Sequence, residues 1–233
     1  MSRIVKDDFG GLINFVKSYS LEALTDDQDF LSFISTIHKK FYSYLVLIEE
    51  FRLCKDDIAK KPVLSKGQFD YLQESVSDCG QCLFLAMNGC YKGARLLLRS
   101  SIENFLKGIC LDEVPQIITE KSVYQVFEDA ELANVFKKNE LIKDLHSIYG
   151  DLCMYVHTAG STHMSGVSAL KFFPHFNKEE ADKLSVVFIR LLPIFVTALC
   201  LKFNCQYHYI NYQNKEVIGS IILDDYKKQV YGE

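Results

Sequence analysis

The segment from Cys90 to Leu111, CYKGARLLLRSSIENFLKGICL, constrains this chain more than any other. It has no proline and is dominated by Ala, Leu, Arg, Lys and Glu, residues that lose little on entering a helix. Asn88-Gly89 in front of it is a helix-ending pair. At helical spacing its side chains fall on two mainly apolar faces. Leu97, Ser101, Phe105 and Gly108 form one, and Leu98, Ile102, Phe105 and Ile109 the other. A helix apolar on two sides must be covered on two sides, so it belongs in the middle of a bundle. The same helix carries Arg95, Arg99 and Glu103 at i, i+4 and i+8, within reach of each other along one stripe. Charges on a largely buried helix need partners, because removing one member of a buried pair costs about 3–5 kcal/mol. Two readings of the stripe follow: a structural ion pair that fixes helix register, or a polar pocket with work to do.

The flanking sequence supplies the covering helices. Leu12, Phe15, Val16 and Tyr19 predict an amphipathic helix around Phe9–Leu24. Thr25-Asp26-Asp27-Gln28 has capping-box form, and Phe30, Phe33, Ile34, Ile37, Phe41, Tyr44, Leu45 and Ile48 keep a helical period after it. Ser65-Lys66-Gly67-Gln68 is a second capping box and opens a helix through Phe69, Leu72, Val76, Leu83 and Met87. Short helices are predicted after Ser122 and over Ala130–Lys138. Asn139 caps a longer one whose buried side is Leu141, Leu145, Ile148, Leu152 and either Tyr155 or Val156. Asn177 caps the last long helix, which runs through Pro193 to about Phe203. Its apolar run, Val186–Leu201, is short for a membrane span and holds Arg190 and Pro193, so a kinked core helix is expected and no membrane partner. Alternation suited to a sheet is absent before the tail. There, Tyr207–Ile210 and Val217–Leu223 suggest a hairpin and Asp224–Tyr231 a short helix. The expected fold is all-α, an up-and-down helical bundle over residues 1–206, with a small β or irregular C-terminal tail over 207–233.

Composition narrows the chemistry. The 26 basic and 30 acidic residues give a net charge of −4, so any nucleic-acid contact must be a local patch. The opening MSRIVKDDFG lacks the apolar core of a signal peptide. With eight scattered cysteines, that predicts reduced thiols and a cytoplasmic location. Cys79-Gly80-Gln81-Cys82 has neither the βαβ setting of a redox motif nor the second pair of a zinc site, and reads as two core thiols. No Gly-rich phosphate loop, HExxH or GxSxG is present. His146, His157 and His163 have no carboxylate or cysteine at a metal-ligand spacing, so no metal and no other cofactor is expected.

The second informative segment is Asn139–Thr158, NELIKDLHSIYGDLCMYVHT. It places His157 in the last turn of a helix, where the dipole favours the imidazolium. His146, Tyr149, Asp151 and Tyr155 sit around it as candidate binding residues. Taken together, AxxxxRSSIENFLK and IYGDLCMYVHTAG resemble the HEPN superfamily of helical bundles. The likeness is to members with an Arg-xxx-Glu in one core helix and a Tyr-then-His stretch ending a later one. It spans roughly residues 65–160.

The resemblance implies a homodimer with the histidine-bearing helices meeting at a cleft. It also implies a role in antiviral defence or a toxin–antitoxin system, as a metal-independent ribonuclease or RNA-binding protein. His157 takes the family histidine, and Arg99 and Glu103 the basic and acidic positions of the earlier helix. The arginine that usually precedes the histidine has no counterpart, since Gly150, Asp151 and Leu152 stand there. Arg95 or Arg99 is left to supply its charge. In that chemistry His157 acts as base or acid and an arginine grips the phosphate through two hydrogen bonds. Tyr149 or Tyr155 seats the sugar or stacks a base. The missing arginine implies an alternative, a non-catalytic scaffold or sensor subunit binding a nucleotide or a partner protein encoded nearby.

Overall fold

Side chains at the helix starts decide where each element begins. In the computed structural model, which describes residues 3–54, 63–137, 139–157, 160 and 169–232, the Ser65 capping box closes reciprocally. Gln68 N donates to Ser65 Oγ at 3.2 Å and Ser65 N to Gln68 Oε1 at 3.1 Å. The Asn177 cap forms as well, Glu180 N donating to Asn177 Oδ1 at 3.1 Å. The expected Thr25 box does not. Thr25 lies in a 3-10 helix, Glu22–Asp26, and its hydroxyl turns back to the Glu22 carbonyl at 2.7 Å. Asp27 caps in its place, its Oδ1 accepting from Asp29 N at 2.8 Å and Phe30 N at 3.1 Å.

Helices α1 (Arg3–Ser18), α2 (Gln28–Leu53), α3 (Lys66–Met87), α4 (Tyr91–Cys110), α5 (Val123–Glu131), α6 (Leu141–Val156) and α7 (Lys178–Lys202) are followed by α8 (Asn204–Tyr209), α9 (Tyr212–Gly219) and α10 (Asp224–Tyr231). No strand occurs among the described residues, and the protein is an all-α helical bundle. The first helix stops at Ser18, short of the expected Leu24. Beyond Glu131 the chain makes turns instead of a second short helix. Asn139 helps start α6 one residue before its N-cap, Glu140, with Leu141 N donating to Asn139 Oδ1 at 3.1 Å.

The predicted tail hairpin is replaced by α8 and α9, while the expected short helix over Asp224–Tyr231 forms as α10. Ile218 in α9 and Ile221 and Ile222 in the turn after it are buried, and Asn211 caps α9, its Oδ1 accepting from Asn214 N at 3.0 Å. Burial and the cap outweigh the strand preference of that isoleucine-rich run.

Helix α4 takes the central place that its two apolar faces require, packing on α3, α5, α6 and α7. Leu98, Ile102, Phe105, Leu106 and Ile109 are fully buried, while Leu97 is only partly covered. Phe105 lies flat on Phe195 of α7, with centroids 3.9 Å apart and planes at 12°. A short polar chain ties three helices through this core. Tyr44 OH donates to Ser75 Oγ at 3.1 Å, and Ser75 Oγ to the Ser101 carbonyl at 2.9 Å, so these buried hydroxyls are satisfied. Helix α7 is long and apolar enough to cross a membrane, but its residues are mostly buried within the bundle. Cys79 and Cys82 are both free and buried, and burial pushes the Cys79 thiol up to about 12, as suits two unreactive core thiols.

Gly108 marks the closest approach of α3 and α4. A Cβ there would lie 2.7 Å from Leu72 Cγ and 3.0 Å from the Leu72 backbone nitrogen. Glycine to alanine in a helix interior normally gains about 0.5–1 kcal/mol. Here the backbone of α3 is in the way, and forced separation of packed helices costs about 1–3 kcal/mol. Gly108→Ala is therefore expected to lower the thermal unfolding midpoint, and an unchanged or raised midpoint would show that the helices part freely.

Candidate functional site

Helices α4 and α6 lie side by side, with Arg95 against Tyr155 and both Arg99 and Glu103 against Tyr149. As one number rises the other falls, so the helices run antiparallel. Arg99 Nε donates to the Tyr149 hydroxyl, which in turn donates to Glu103 Oε1 at 2.8 Å. The direct Arg99 Nε to Glu103 Oε1 separation is 3.7 Å. The i, i+4 ion pair read from sequence is thus bridged by a hydroxyl from another helix. The Arg99 guanidinium carbon sits 5.0 Å from the Tyr149 ring centroid.

Electrostatics make this a fixed cation. Burial pushes the Tyr149 hydroxyl well above its ordinary range; Arg99 works against that and Glu103 adds to it. Tyr149 therefore stays protonated and serves as a holder, not a base or nucleophile. Burial alone would pull Arg99 down, but Tyr149 and Glu103 more than offset it. The Arg99 and Glu103 side chains remain about a quarter to a third exposed. With Nε engaged, the Arg99 Nη1 and Nη2 groups make no hydrogen bond among the described residues.

Arg95 behaves differently from its neighbour on the stripe. It is 2% exposed and turns to α7, where Nη1 meets Glu180 Oε2 at 2.7 Å and Nη2 the Glu180 carbonyl at 3.4 Å. The Tyr155 ring covers its guanidinium carbon at 4.0 Å from the centroid. Its Nε is buried without a hydrogen-bond partner. A guanidinium this deep needs a carboxylate directly against it, which Glu180 supplies. Burial pushes Glu180 up, but Arg95 and then Lys183 hold its carboxyl below the usual carboxylate range. Beside this cluster, Asn177 N donates to Tyr91 OH at 3.1 Å, a second tie from α4 to the start of α7.

The remaining candidates stand apart. His157 is the exposed C-cap of α6, its backbone N–H bonded to the Cys153 carbonyl at 2.9 Å. It lies eight residues beyond Tyr149, about 12 Å along the helix, and two residues beyond Tyr155, about 200° around it. The chain therefore does not bring His157 to Arg99 and Glu103. His146 is exposed and edge-on to Phe127 at 4.8 Å. Asp151 is exposed and 3.6 Å from Arg190 of α7, away from Tyr149. His163 and most of the Gly160–Leu170 loop lie outside the described residues.

Glu180 is the neighbour of this cluster that sequence reasoning missed. It sits in the first turn of α7, where a carboxylate is already explained by the helix dipole, so no spacing linked it to Arg95. No group of three metal-ligating side chains occurs among the described residues. The arrangement offers a held guanidinium, about a quarter exposed, suited to an oxyanion. Comparison with protein-family models, characterised proteins and solved structures found no match.

Proposed function

We propose that this chain is a HEPN-like cytoplasmic protein of an antiviral or toxin–antitoxin system that binds RNA through the α4–α6 surface. The observation that carries the reading is Arg99. Its Nε is taken by Tyr149, which leaves the Nη pair to meet a phosphate oxygen, and Glu103 fixes Tyr149 from behind. The separation of His157 from Arg99 within one chain favours binding without cleavage. Cleavage requires the histidine of a second chain to complete the site.

Binding of a short single-stranded RNA, followed by fluorescence anisotropy at two salt concentrations, tests the proposal. Arg99→Gln is expected to weaken binding about tenfold and to reduce the salt slope by about one. His157→Ala is expected to bind within about twofold of the parent. Equal affinity of the parent and Arg99→Gln would reject Arg99 as the phosphate contact. RNA breakdown by the parent that His157→Ala abolishes would establish the catalytic form.

A further inference from the structure

The family resemblance gives base stacking to Tyr149 or Tyr155, but both rings are engaged within the chain. Tyr155 covers the Arg95 guanidinium carbon at 4.0 Å. Tyr149 is 8% exposed, with the Arg99 guanidinium carbon 5.0 Å and the Phe127 ring 5.6 Å from its centroid. A base needs a ring with an open face. His146 supplies one beside Arg99. It is exposed and lies one turn before Tyr149 on α6, about 4.5 Å along the helix and 60° around it. Phe127 of α5 is buried and joins the two, at 60° to the imidazole with centroids 4.8 Å apart and at 70° to the Tyr149 ring. The ring that braces His146 therefore also braces the holder of Arg99. Phe127 meets the imidazole at a steep angle, not face to face, so a flat side of it stays open to solvent.

The charges nearby select a base over a second phosphate. Lys143, one turn before His146, is paired with Glu140 at 2.7 Å and also neighbours Glu131 of α5. On the α4 side, Glu103 accepts from the Tyr149 hydroxyl. Carboxylates thus border this edge of α6, which repels phosphate and tolerates an uncharged ring.

We infer that the RNA bound here is single-stranded, with the base next to the Arg99-held phosphate stacked on His146. A duplex keeps its bases stacked on one another and has no ring face to offer. This inference rests on Arg99 holding a phosphate.

Fluorescence anisotropy tests it with a labelled RNA of mixed sequence, alone and annealed to its complement, at two salt concentrations. The parent is expected to bind the single strand more tightly than the duplex. His146→Ala should weaken single-strand binding about fivefold or more, with the salt slope and duplex binding unchanged. His146→Phe keeps a stacking ring without a charge and should bind the single strand within about twofold of the parent. Single-strand affinity unchanged in His146→Ala, while Arg99→Gln weakens it, overturns the stacking and leaves the phosphate contact standing. His146→Phe as weak as His146→Ala, with both salt slopes reduced by about one, shows a phosphate contact in place of a stack and overturns it too. Loss of nothing in Arg99→Gln overturns the RNA reading itself, and the stacking with it.

Discussion

Glu180→Ala is expected to lower the melting temperature by about 6–12 °C, a loss of about 3 kcal/mol converted at 2–4 °C per kcal/mol for a chain of this size. The cause is the charge left behind. Arg95 is 2% exposed, its Nε already lacks a partner, and Glu180 is its carboxylate. Glu180 itself is 27% exposed, so water softens the penalty and the low end of the range for buried pairs applies. Removing both charges in Arg95→Met with Glu180→Ala should recover much of the loss, since no buried cation then remains. Calorimetry of the three variants checks this, and a single-variant shift under about 2 °C would mean water reaches Arg95.

The same pair sets an acid dependence. The folded carboxyl of Glu180 lies below its unfolded value. Its contribution is therefore complete above the unfolded carboxylate range and is lost as pH falls through the folded value. The parent should lead Glu180→Gln at neutral pH and lose that lead below about pH 4. Urea melts at neutral and acid pH measure the difference, and a lead that persists undiminished in acid contradicts it.

Phe105→Ala is expected to cost about 3–5 kcal/mol, through lost burial and the cavity left behind. Phe105 is fully buried and stacked on Phe195, with Tyr44 edge-on to it at 6.5 Å. Helices α2, α4 and α7 all meet at this ring, so the cavity cannot close without moving one of them. Phe105→Leu keeps most of the volume and should lose less than half as much. Denaturant midpoints at constant slope provide the measurement, and an alanine variant within about 1 kcal/mol of the parent would show that the bundle collapses onto the gap.

How far the sequence could be read depended on the range of the interaction. The reciprocal Ser65–Gln68 box and the Asn177 cap were legible because a cap is settled within four residues. The Thr25 box failed by two positions because Thr25 and Asp27 are both good caps, and only the preceding 3-10 turn chose between them. The expected hairpin does not form because β-branched residues in a row favour a strand only locally, while the bundle buries Ile218 at the end of α9 and Ile221 and Ile222 in the turn that follows it. At the candidate site, Arg99 and Glu103 were visible as an i, i+4 pair, and Tyr149 as a nearby polar residue of the later helix. That Tyr149 bridges them, and that Arg95 turns to Glu180, depends on residues 46 and 85 positions apart in the chain.

The sequence by itself determined the long helices and the central position of Cys90–Leu111, because periodicity and capping act over one or two turns and a two-faced apolar helix has nowhere else to go. Only the tertiary structure decided which charge met which partner. Packing sets the angle and height of one helix against another, and a shift of a single turn would have given Arg95, Arg99 and His157 different neighbours.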